Sequence, residues 1–203
     1  SYRPKIFQLI ISFLLSYQKG LEIGAGTTTY SKLLFSYNQP LKLGKFGILN
    51  NTIETGKIFG DAQLSVLSPV PANQTYSLVA NTFSLLNYYD FVVDQFLVGH
   101  FEHHFNGYIL NKIPVIKKLK LRSLMTFRGV LGNISDSNTA INRSSIIYNA
   151  PKELYYEYGF GVENIGFGNL RLFRIDCIWR SEFNNPNNSS PNFGVRLGMS
   201  PDF

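Results

Sequence analysis

His100, Glu102 and His104 are the residues of this sequence whose types and spacing come closest to a metal-ligand set. A spacing of two residues places all three on one side of an extended strand. Imidazole and carboxylate groups are ligands that zinc accepts. Neighbouring side chains on one strand face lie about 7 Å apart, so three could reach one ion only with a bulge or a second strand. The polar wall of a lumen or a network of polar groups facing a turn explains these residues as well. The sequence therefore predicts no metal site and no cofactor, with these three residues as the single metal candidate.

Charged residues of opposite sign occupy one face of several other predicted strands. Glu157 and Glu163 fall within reach of Arg174 and Arg180 if the strands pair in sequence order. We therefore predict a lattice of paired charges on an inward face, with a selectivity ring in a pore as the alternative. The mixed signs favour the lattice. The residues assigned to it are Arg122, Arg128, Glu157, Glu163, Arg174, Asp176, Arg180 and Arg196.

Catalytic arrangements are not recognisable in the sequence. Cys177 has Ile175 and Trp179 as neighbours on its strand face, a setting that favours packing over nucleophilic reactivity. No GxSxG nucleophile elbow occurs, and the segment GAGTTT at residues 24–29 lacks the Lys of a phosphate-binding loop. We predict that the protein is not an enzyme and has no catalytic residues.

The segments that position these side chains alternate apolar and polar residues with a period of two, which is typical of strands with two unlike faces. About eight such strands can be traced, several of them about 10 residues long, whereas strands of soluble proteins usually have about 5 to 6 residues. Ile178 interrupts the charged face of its strand. The predicted apolar faces comprise Phe7, Leu9, Ile11, Phe13, Leu15 and Tyr17; Phe91, Val93, Leu97, Phe101 and Phe105; Leu119, Leu121, Met125 and Phe127; Tyr156, Tyr158, Phe160 and Val162; Phe173, Ile175, Cys177 and Trp179; and Phe193, Val195, Leu197, Met199, Pro201 and Phe203.

The composition limits the classes of protein that fit. Only 16% of the 203 residues are charged while 44% are hydrophobic, against about 25% charged residues in soluble domains. The longest apolar run, residues 6–15, is too short for a membrane-spanning helix. The net charge is +6, but the basic residues are scattered apart from one short run at residues 117–122, so we do not expect nucleic acid as a partner.

Strand length and connector length together favour a transmembrane β-barrel over a soluble β-sandwich. Barrel strands need about 9 to 11 residues to cross a bilayer, and outer-membrane barrels alternate short and long connections. We predict an all-β, antiparallel transmembrane barrel over residues 1–203, with a long extracellular or lumen-folded loop at 60–90. Further extracellular loops are predicted at about 20–29, 133–153 and 182–191.

The C-terminal strand carries a pattern of its own. Its alternating apolar residues run in register to a terminal phenylalanine, and Pro201 suits a strand end because it lacks an N–H group. Such an ending is similar to the signal that the outer-membrane assembly machinery reads. The residues assigned to this signal are Phe193, Val195, Leu197, Met199 and Phe203.

Several stretches carry a family resemblance. The segments FEHHFNGYILNKIPVIKKLKLRSL (101–124), YYEYGFGVENIGFGNLRLFRIDCIWR (155–180) and PNFGVRLGMSPDF (191–203) resemble the C-terminal barrel of a Bacteroidota outer-membrane family. That family carries an N-terminal carboxypeptidase-regulatory-like domain and has no settled function. The layout is also similar to that of the BamA and TamA superfamily, whose barrels have 16 strands. This resemblance implies that the chain supplies the last eight strands. It does not extend to the Val-Arg-Gly-Phe-like tetrapeptide of that superfamily's long loop, because residues 60–90 contain none.

These observations lead to one expected function and two alternatives. We expect an integral protein of the bacterial outer membrane that is a structural, assembly-linked or transport-linked component of an envelope complex. Its expected partners are outer-membrane lipid and lipopolysaccharide, the assembly machinery during insertion, and other envelope proteins. The alternatives are an outer-membrane channel or transporter, and a soluble β-sandwich that binds a ligand.

Overall fold

One antiparallel sheet of eight long strands is the main element of the fold. The computed structural model describes residues 11–22, 28–143, 149–168, 170–183 and 191–199. The strand order in the sheet is β1-β2-β3-β6-β7-β8-β9-β10, so consecutive long strands are neighbours. The predicted all-β fold with about eight strands is confirmed. The strands are β1 (Ser12–Gly20), β2 (Tyr30–Lys42), β3 (Ile48–Gly60), β6 (Gln95–His104), β7 (Arg122–Asn133), β8 (Tyr155–Phe167), β9 (Leu170–Arg180) and β10 (Phe193–Met199).

The remaining regular elements are short. Strands β4 (Ser68–Pro69) and β5 (Val92–Val93) form a separate two-stranded sheet. The two α-helices, α1 (Pro114–Leu119) and α2 (Asp136–Ile141), have six residues each. In the described part of the chain, no helix is long and apolar enough to cross a membrane.

The prediction that Leu119 lies in a strand is wrong. Leu119 is the last residue of α1, and Lys120 has φ +54°, a left-handed conformation that ends the helix before β7 begins at Arg122. Pro114 explains the difference: its ring fixes φ at a helical value and removes an N–H group that a strand ladder would need.

The eight-stranded sheet has two faces of opposite character. The outer face, defined as the face that bears Phe101, presents aromatic and aliphatic side chains across consecutive strand pairs: Phe101 lies opposite Phe127, Phe127 opposite Tyr158, and Tyr158 opposite Trp179. These side chains are not covered by other parts of the described structure. Large apolar residues exposed on this face are Phe13, Leu15, Tyr17, Leu33, Phe35, Phe59, Leu97, Met125, Phe127, Leu131, Tyr158, Phe160, Phe173, Ile175, Phe193, Val195, Leu197 and Met199.

The opposite, inner face is covered by a long connection, residues 61–94, which we call the inward loop. Its Phe83 and Leu86 are buried against Val98 of β6 and Val130 of β7, in a core that also contains Tyr155 of β8. Because its apolar side chains form a core with those of the sheet, the inward loop is held in place by hydrophobic burial. The predicted extracellular or lumen-folded location of residues 60–90 stays a prediction, because the sheet is open in the described residues.

The predicted placement of Phe91 and Val93 on one apolar strand face with Leu97 and Phe101 is wrong. Phe91 is 3% exposed and Val93 is fully buried, and both belong to the core between the inward loop and the inner face. The period-two pattern continues through them, but β6 begins only at Gln95, so the alternation upstream of Gln95 does not follow the pleat of the eight-stranded sheet. Ile178 is buried on the inner face as its position in the alternation requires.

A second connection packs on the inward loop. Asp94 accepts hydrogen bonds from the backbone N–H of Ser135 (2.7 Å) and from Asn138 Nδ2 (2.9 Å). Asn138 Oδ1 in turn accepts from the N–H of Ala62 (2.8 Å). These bonds fix α2 over the start of the inward loop, so the connections at this end of the sheet form one packed layer.

The two ends of the sheet differ in their connectors. At the turn end lie the connectors 43–47 and 105–121 and the link from β8 to β9; at the loop end lie the inward loop and the connectors from β1 to β2, β7 to β8 and β9 to β10. The predicted alternation of longer and shorter connections agrees with this arrangement. Parts of the predicted loops 20–29, 133–153 and 182–191 lie outside the described residues.

The sheet is open across the residues that the structure describes. Strands β1 and β10 are its edges, and they are not paired with each other. The inward loop partly covers the edge of β10, because Leu197 accepts a hydrogen bond from the N–H of Leu78 (2.7 Å) and donates one to the carbonyl of Tyr76 (2.8 Å). A closed transmembrane barrel therefore stays a prediction.

Candidate functional site

Glu157 on the inner face of β8 holds the tip of the inward loop. Its carboxylate accepts hydrogen bonds from the backbone N–H groups of Ser84 (2.7 Å) and Leu85 (2.8 Å) and from the Tyr155 hydroxyl (2.8 Å). Glu157 is 1% exposed, and Arg128 Nη1 lies 3.9 Å from its Oε2. A buried carboxylate with these donors joins the loop backbone to the wall by charge-assisted hydrogen bonds.

Ser84 forms hydrogen bonds with residues of three strands of the sheet. Besides its N–H bond to Glu157, its hydroxyl accepts a hydrogen bond from Arg128 Nη1 (2.7 Å), and its carbonyl accepts one from Arg196. Both backbone polar groups and the side chain of Ser84 are thus satisfied by β7, β8 and β10. We call this arrangement the loop clamp.

The register of the sheet explains why these wall residues meet. Arg128 lies directly opposite Glu157 across the β7–β8 ladder, and Arg180 lies opposite Glu157 across the β8–β9 ladder. Directly opposite side chains on one face are within about 5.5 Å at Cβ. The predicted proximity of Glu157 to Arg180 agrees with this register.

The clamp is completed by apolar packing around Phe83. This fully buried ring lies 5.4 Å from the His100 ring and 5.5 Å from the Tyr155 ring, measured between centroids. Offset aromatic contacts at such distances contribute beyond their buried area. Phe83 therefore anchors the loop next to the polar contacts of Ser84.

A second polar cluster, which we call the carboxylate cluster, lies nearer the turn end. Arg174 donates from Nε to Asp176 Oδ1 (2.8 Å) and from Nη2 to Asp176 Oδ2 (2.6 Å), and the same Nη2 contacts Glu102 Oε2 at 2.7 Å. Asp176 is fully buried. The paired, fork-like geometry is the strongest form of an arginine–carboxylate contact.

His104 extends the carboxylate cluster. Its Nε2 lies 2.8 Å from Glu102 Oε1, and its Nδ1 lies 3.0 Å from Glu163 Oε2. Both carboxylates can accept only if both ring nitrogens donate, which is the imidazolium form. Three carboxylates thus alternate with two cations on the inner face, which leaves one net negative charge in the carboxylate cluster.

The three residues of the metal candidate do not converge in the structure. His104 has both ring nitrogens engaged, whereas His100 is 6% exposed, packs against Phe83 and has no hydrogen-bond partner among the described residues at either nitrogen. Among the described residues, no group of three His, Cys, Asp or Glu side chains is arranged to hold a metal ion. His100 instead borders a polar cleft of about 290 Å³ together with Thr52 and Arg128.

The other residues singled out from the sequence lie at separate places. Arg122 is opposite Glu163, and Cys177 is on the outer face opposite Phe160 and Val195. Arg180 donates from Nε to Asn192 Oδ1 (3.1 Å). The residues of the proposed C-terminal signal within the described chain, Phe193, Val195, Leu197 and Met199, are exposed on the outer face of β10. Phe203, the last residue of that signal, and Pro201 lie outside the described residues.

Sequence reasoning missed Phe83, Ser84 and Leu85 as part of the site. Their segment, TFSLL at 82–86, is one of several apolar stretches in the connection 61–94. Apolar residues in a long connection indicate burial, and this signal could have predicted that the connection packs on the sheet. It could not have identified the wall residues that contact it, since those contacts join residues far apart in sequence.

Comparison with known proteins gives one match. Residues 12–134 match the family described as the C-terminal domain of a family of unknown function, DUF5686. The matched region is more than half of the 203 residues. No curated protein and no solved structure matches the chain.

Proposed function

The chain belongs to the DUF5686 C-terminal domain family, and from that premise we propose that it is part of the wall of a bacterial outer-membrane β-barrel. Its role is structural, or linked to assembly or transport within an envelope complex, and not catalytic. The observation that carries this proposal is the outer face. Among the described residues, eighteen large apolar side chains are exposed there, far beyond the patches that soluble monomers present to water.

Strand length supports placement of the outer face in lipid. Seven strands of the sheet have 9 to 13 residues. At about 3.3 Å per residue, they extend over about 30 to 43 Å. A tilt of about 40° reduces this to about 23 to 33 Å, which includes the apolar band about 25 Å tall of outer-membrane barrels.

The open edges support a larger barrel. Within a bilayer, unpaired backbone N–H and C=O groups cost several kcal/mol each, so a sheet there must close. We propose that further strands pair with β1 and β10 to give a 16-stranded barrel of the BamA and TamA layout, in a Bacteroidota outer membrane. Its partners in the membrane are lipid and lipopolysaccharide. During insertion its partner is the assembly machinery, which recognises the outer face of β10.

The inner face favours a closed wall over an open channel. The loop clamp and the aromatic core hold the inward loop on the inner side of β6 to β10. The inner-face charges are of both signs and are paired with each other, whereas a selectivity filter presents rings of one sign. The protein of this proposal therefore conducts ions poorly in planar bilayers unless the inward loop moves.

The apolar outer face also argues against the soluble β-sandwich. In a sandwich the apolar face of a sheet packs on a second sheet about 10 Å away. The second sheet in the described residues has only two short strands, and its members are in the connections on the inner side. A membrane supplies the apolar environment that a second sheet would provide.

Replacing Phe160 with Arg tests the proposal. Phe160 is near the middle of β8 on the outer face and is 53% exposed. In a bilayer the charge should lower the free energy of unfolding by about 2 to 4 kcal/mol. In a water-exposed sheet the effect should stay within about 0.5 kcal/mol. The measurement is equilibrium unfolding of the full-length protein in lipid vesicles, with heat-modifiable migration on a gel as the measure of the folded fraction.

Tyr88→Arg is the matched control, because Tyr88 is 58% exposed but lies in the inward loop and not on the outer face. It should leave the free energy of unfolding unchanged. Equal, small effects of both substitutions would contradict a lipid-facing outer face.

A further inference from the structure

The two ends of the sheet carry opposite charge. The connectors of the turn end contain five lysines and no acidic residue, whereas the sequence of the loop-end connectors contains seven acidic residues and two basic ones. The turn-end lysines are Lys45, Lys112, Lys117, Lys118 and Lys120. The net charge of +6 therefore does not describe a uniformly basic protein.

The connector from β6 to β7 combines this charge with exposed apolar side chains. Ile109, Ile113, Val115 and Leu119 are 43%, 45%, 73% and 53% exposed, respectively. Val115 and Leu119 are four residues apart at the two ends of α1, so they share a helix face; Lys117 lies on the opposite side and Lys118 borders the apolar face. An exposed short helix with an apolar face and lysines beside and behind it has the pattern of segments that lie in a membrane interface.

Several contacts fix this connector to the turn end of the sheet. Asn164 donates from Nδ2 to the carbonyl of Lys120 (2.6 Å), and Arg171 donates to the carbonyl of Leu119. The Tyr108 ring lies 5.0 Å from the Phe46 ring of the neighbouring connector. The surface is thus held in place and continues the apolar outer face, which reaches this end of the sheet.

We infer that this surface, residues 109–120 with Lys45, binds the headgroups of anionic phospholipids in the leaflet at the turn end. The inference rests on the proposed function, since it requires the outer face to be in lipid. Apolar side chains of α1 enter the boundary between headgroups and acyl chains, and the lysines contact the lipid phosphates. Polybasic segments next to a membrane are attracted to anionic lipid in this way.

The test is photocrosslinking of the full-length protein in phosphatidylcholine vesicles that contain one fifth phosphatidylglycerol. A diazirine is placed near the glycerol of either lipid, and crosslinked residues are mapped by mass spectrometry. Residues 109–120 should crosslink to phosphatidylglycerol about fivefold more than to an equal amount of labelled phosphatidylcholine. The preference should decrease as salt is added, because exposed charges are screened.

The triple variant K117Q/K118Q/K120Q should reduce the phosphatidylglycerol yield to that of phosphatidylcholine. The matched control, K19Q/K57Q/K152Q, removes three exposed lysines from outside this surface and should leave the preference unchanged. Equal yields from both lipids in the unmodified protein would overturn the inference.

A second readout separates this inference from the proposed function. Lipid crosslinks on the outer face of β8 and β9, with none on residues 109–120, would support the proposed function and overturn this inference. The lysines of this surface would then fit an acidic protein partner better than a lipid. An absence of crosslinks at both places would overturn the proposed function itself.

Discussion

Replacing Glu157 with Ala should release the inward loop from the wall and lower the free energy of unfolding by about 3 to 5 kcal/mol. The substitution removes the acceptor of two backbone N–H groups, those of Ser84 and Leu85, and of the Tyr155 hydroxyl. It also leaves the buried guanidinium of Arg128 without its carboxylate. Each buried donor that loses its acceptor costs about 1 to 3 kcal/mol, and a buried charge costs more.

Hydrogen exchange of the loop amides measures this effect directly. The N–H groups of Ser84 and Leu85 should become unprotected in Glu157→Ala, whereas amides in the middle of β7 should retain their relative order of protection. Glu157→Gln keeps an oxygen acceptor but removes the charge, so its effect should be intermediate.

The control for the clamp is Glu153→Ala, which removes an exposed carboxylate from the connector between β7 and β8. It should alter stability by less than about 1 kcal/mol. If the amides of Ser84 and Leu85 stayed protected in Glu157→Ala, the inward loop would be held by its apolar core alone and the clamp would be dispensable.

Replacing Arg174 with Ala should have an effect of similar size, about 3 to 5 kcal/mol, for a different reason. Asp176 is fully buried and receives two hydrogen bonds from Arg174, and Glu102 loses a partner as well. Little space remains beside Asp176 for another group to replace the lost guanidinium. Gly161 on the neighbouring strand lies so close that a Cβ atom there would collide with the Asp176 carboxylate. Equilibrium unfolding in lipid vesicles measures the loss.

A double variant distinguishes a buried ion pair from a packing defect. Arg174→Met combined with Asp176→Leu removes both charges and fills the space, so it should recover most of the stability lost in Arg174→Ala. Arg143→Ala, at an exposed position of the loop end, should change the stability by less than about 1 kcal/mol. If the double variant were less stable than Arg174→Ala, the charges of the carboxylate cluster would be contributing net stability to the wall.

The sequence predicted the strands and their faces well, because both follow from a local, period-two pattern. The outward positions of Phe160, Ile175 and Leu197 and the inward positions of Glu157 and Arg174 agree with the alternation. Membership of a family of unknown function agrees in part with the resemblance, since of its three segments only residues 101–124 lie within the matched residues 12–134. The resemblance to BamA and TamA barrels and the location in an outer membrane stay predictions.

The errors arose where local pattern and long-range packing differ. Phe91 and Val93 continue the alternation of β6 but belong to a segment that turns back over the inner face. Leu119 alternates with its neighbours but follows a proline that begins a helix. The partners of Ser84 could not be predicted, since Arg128, Glu157 and Arg196 come from strands more than 40 residues away.

The partly covered edge of β10 makes the two edges of the sheet unequal for the barrel proposed above. A strand that pairs with β1 would meet an edge that no other described segment occupies, whereas a strand that pairs with β10 would have to replace the two hydrogen bonds between Leu197 and the inward loop. At about 0.5 to 1.5 kcal/mol each, these bonds stabilise the covered edge by about 1 to 3 kcal/mol. The inward loop therefore satisfies part of an exposed strand edge that would otherwise be open to pairing with a wrong strand.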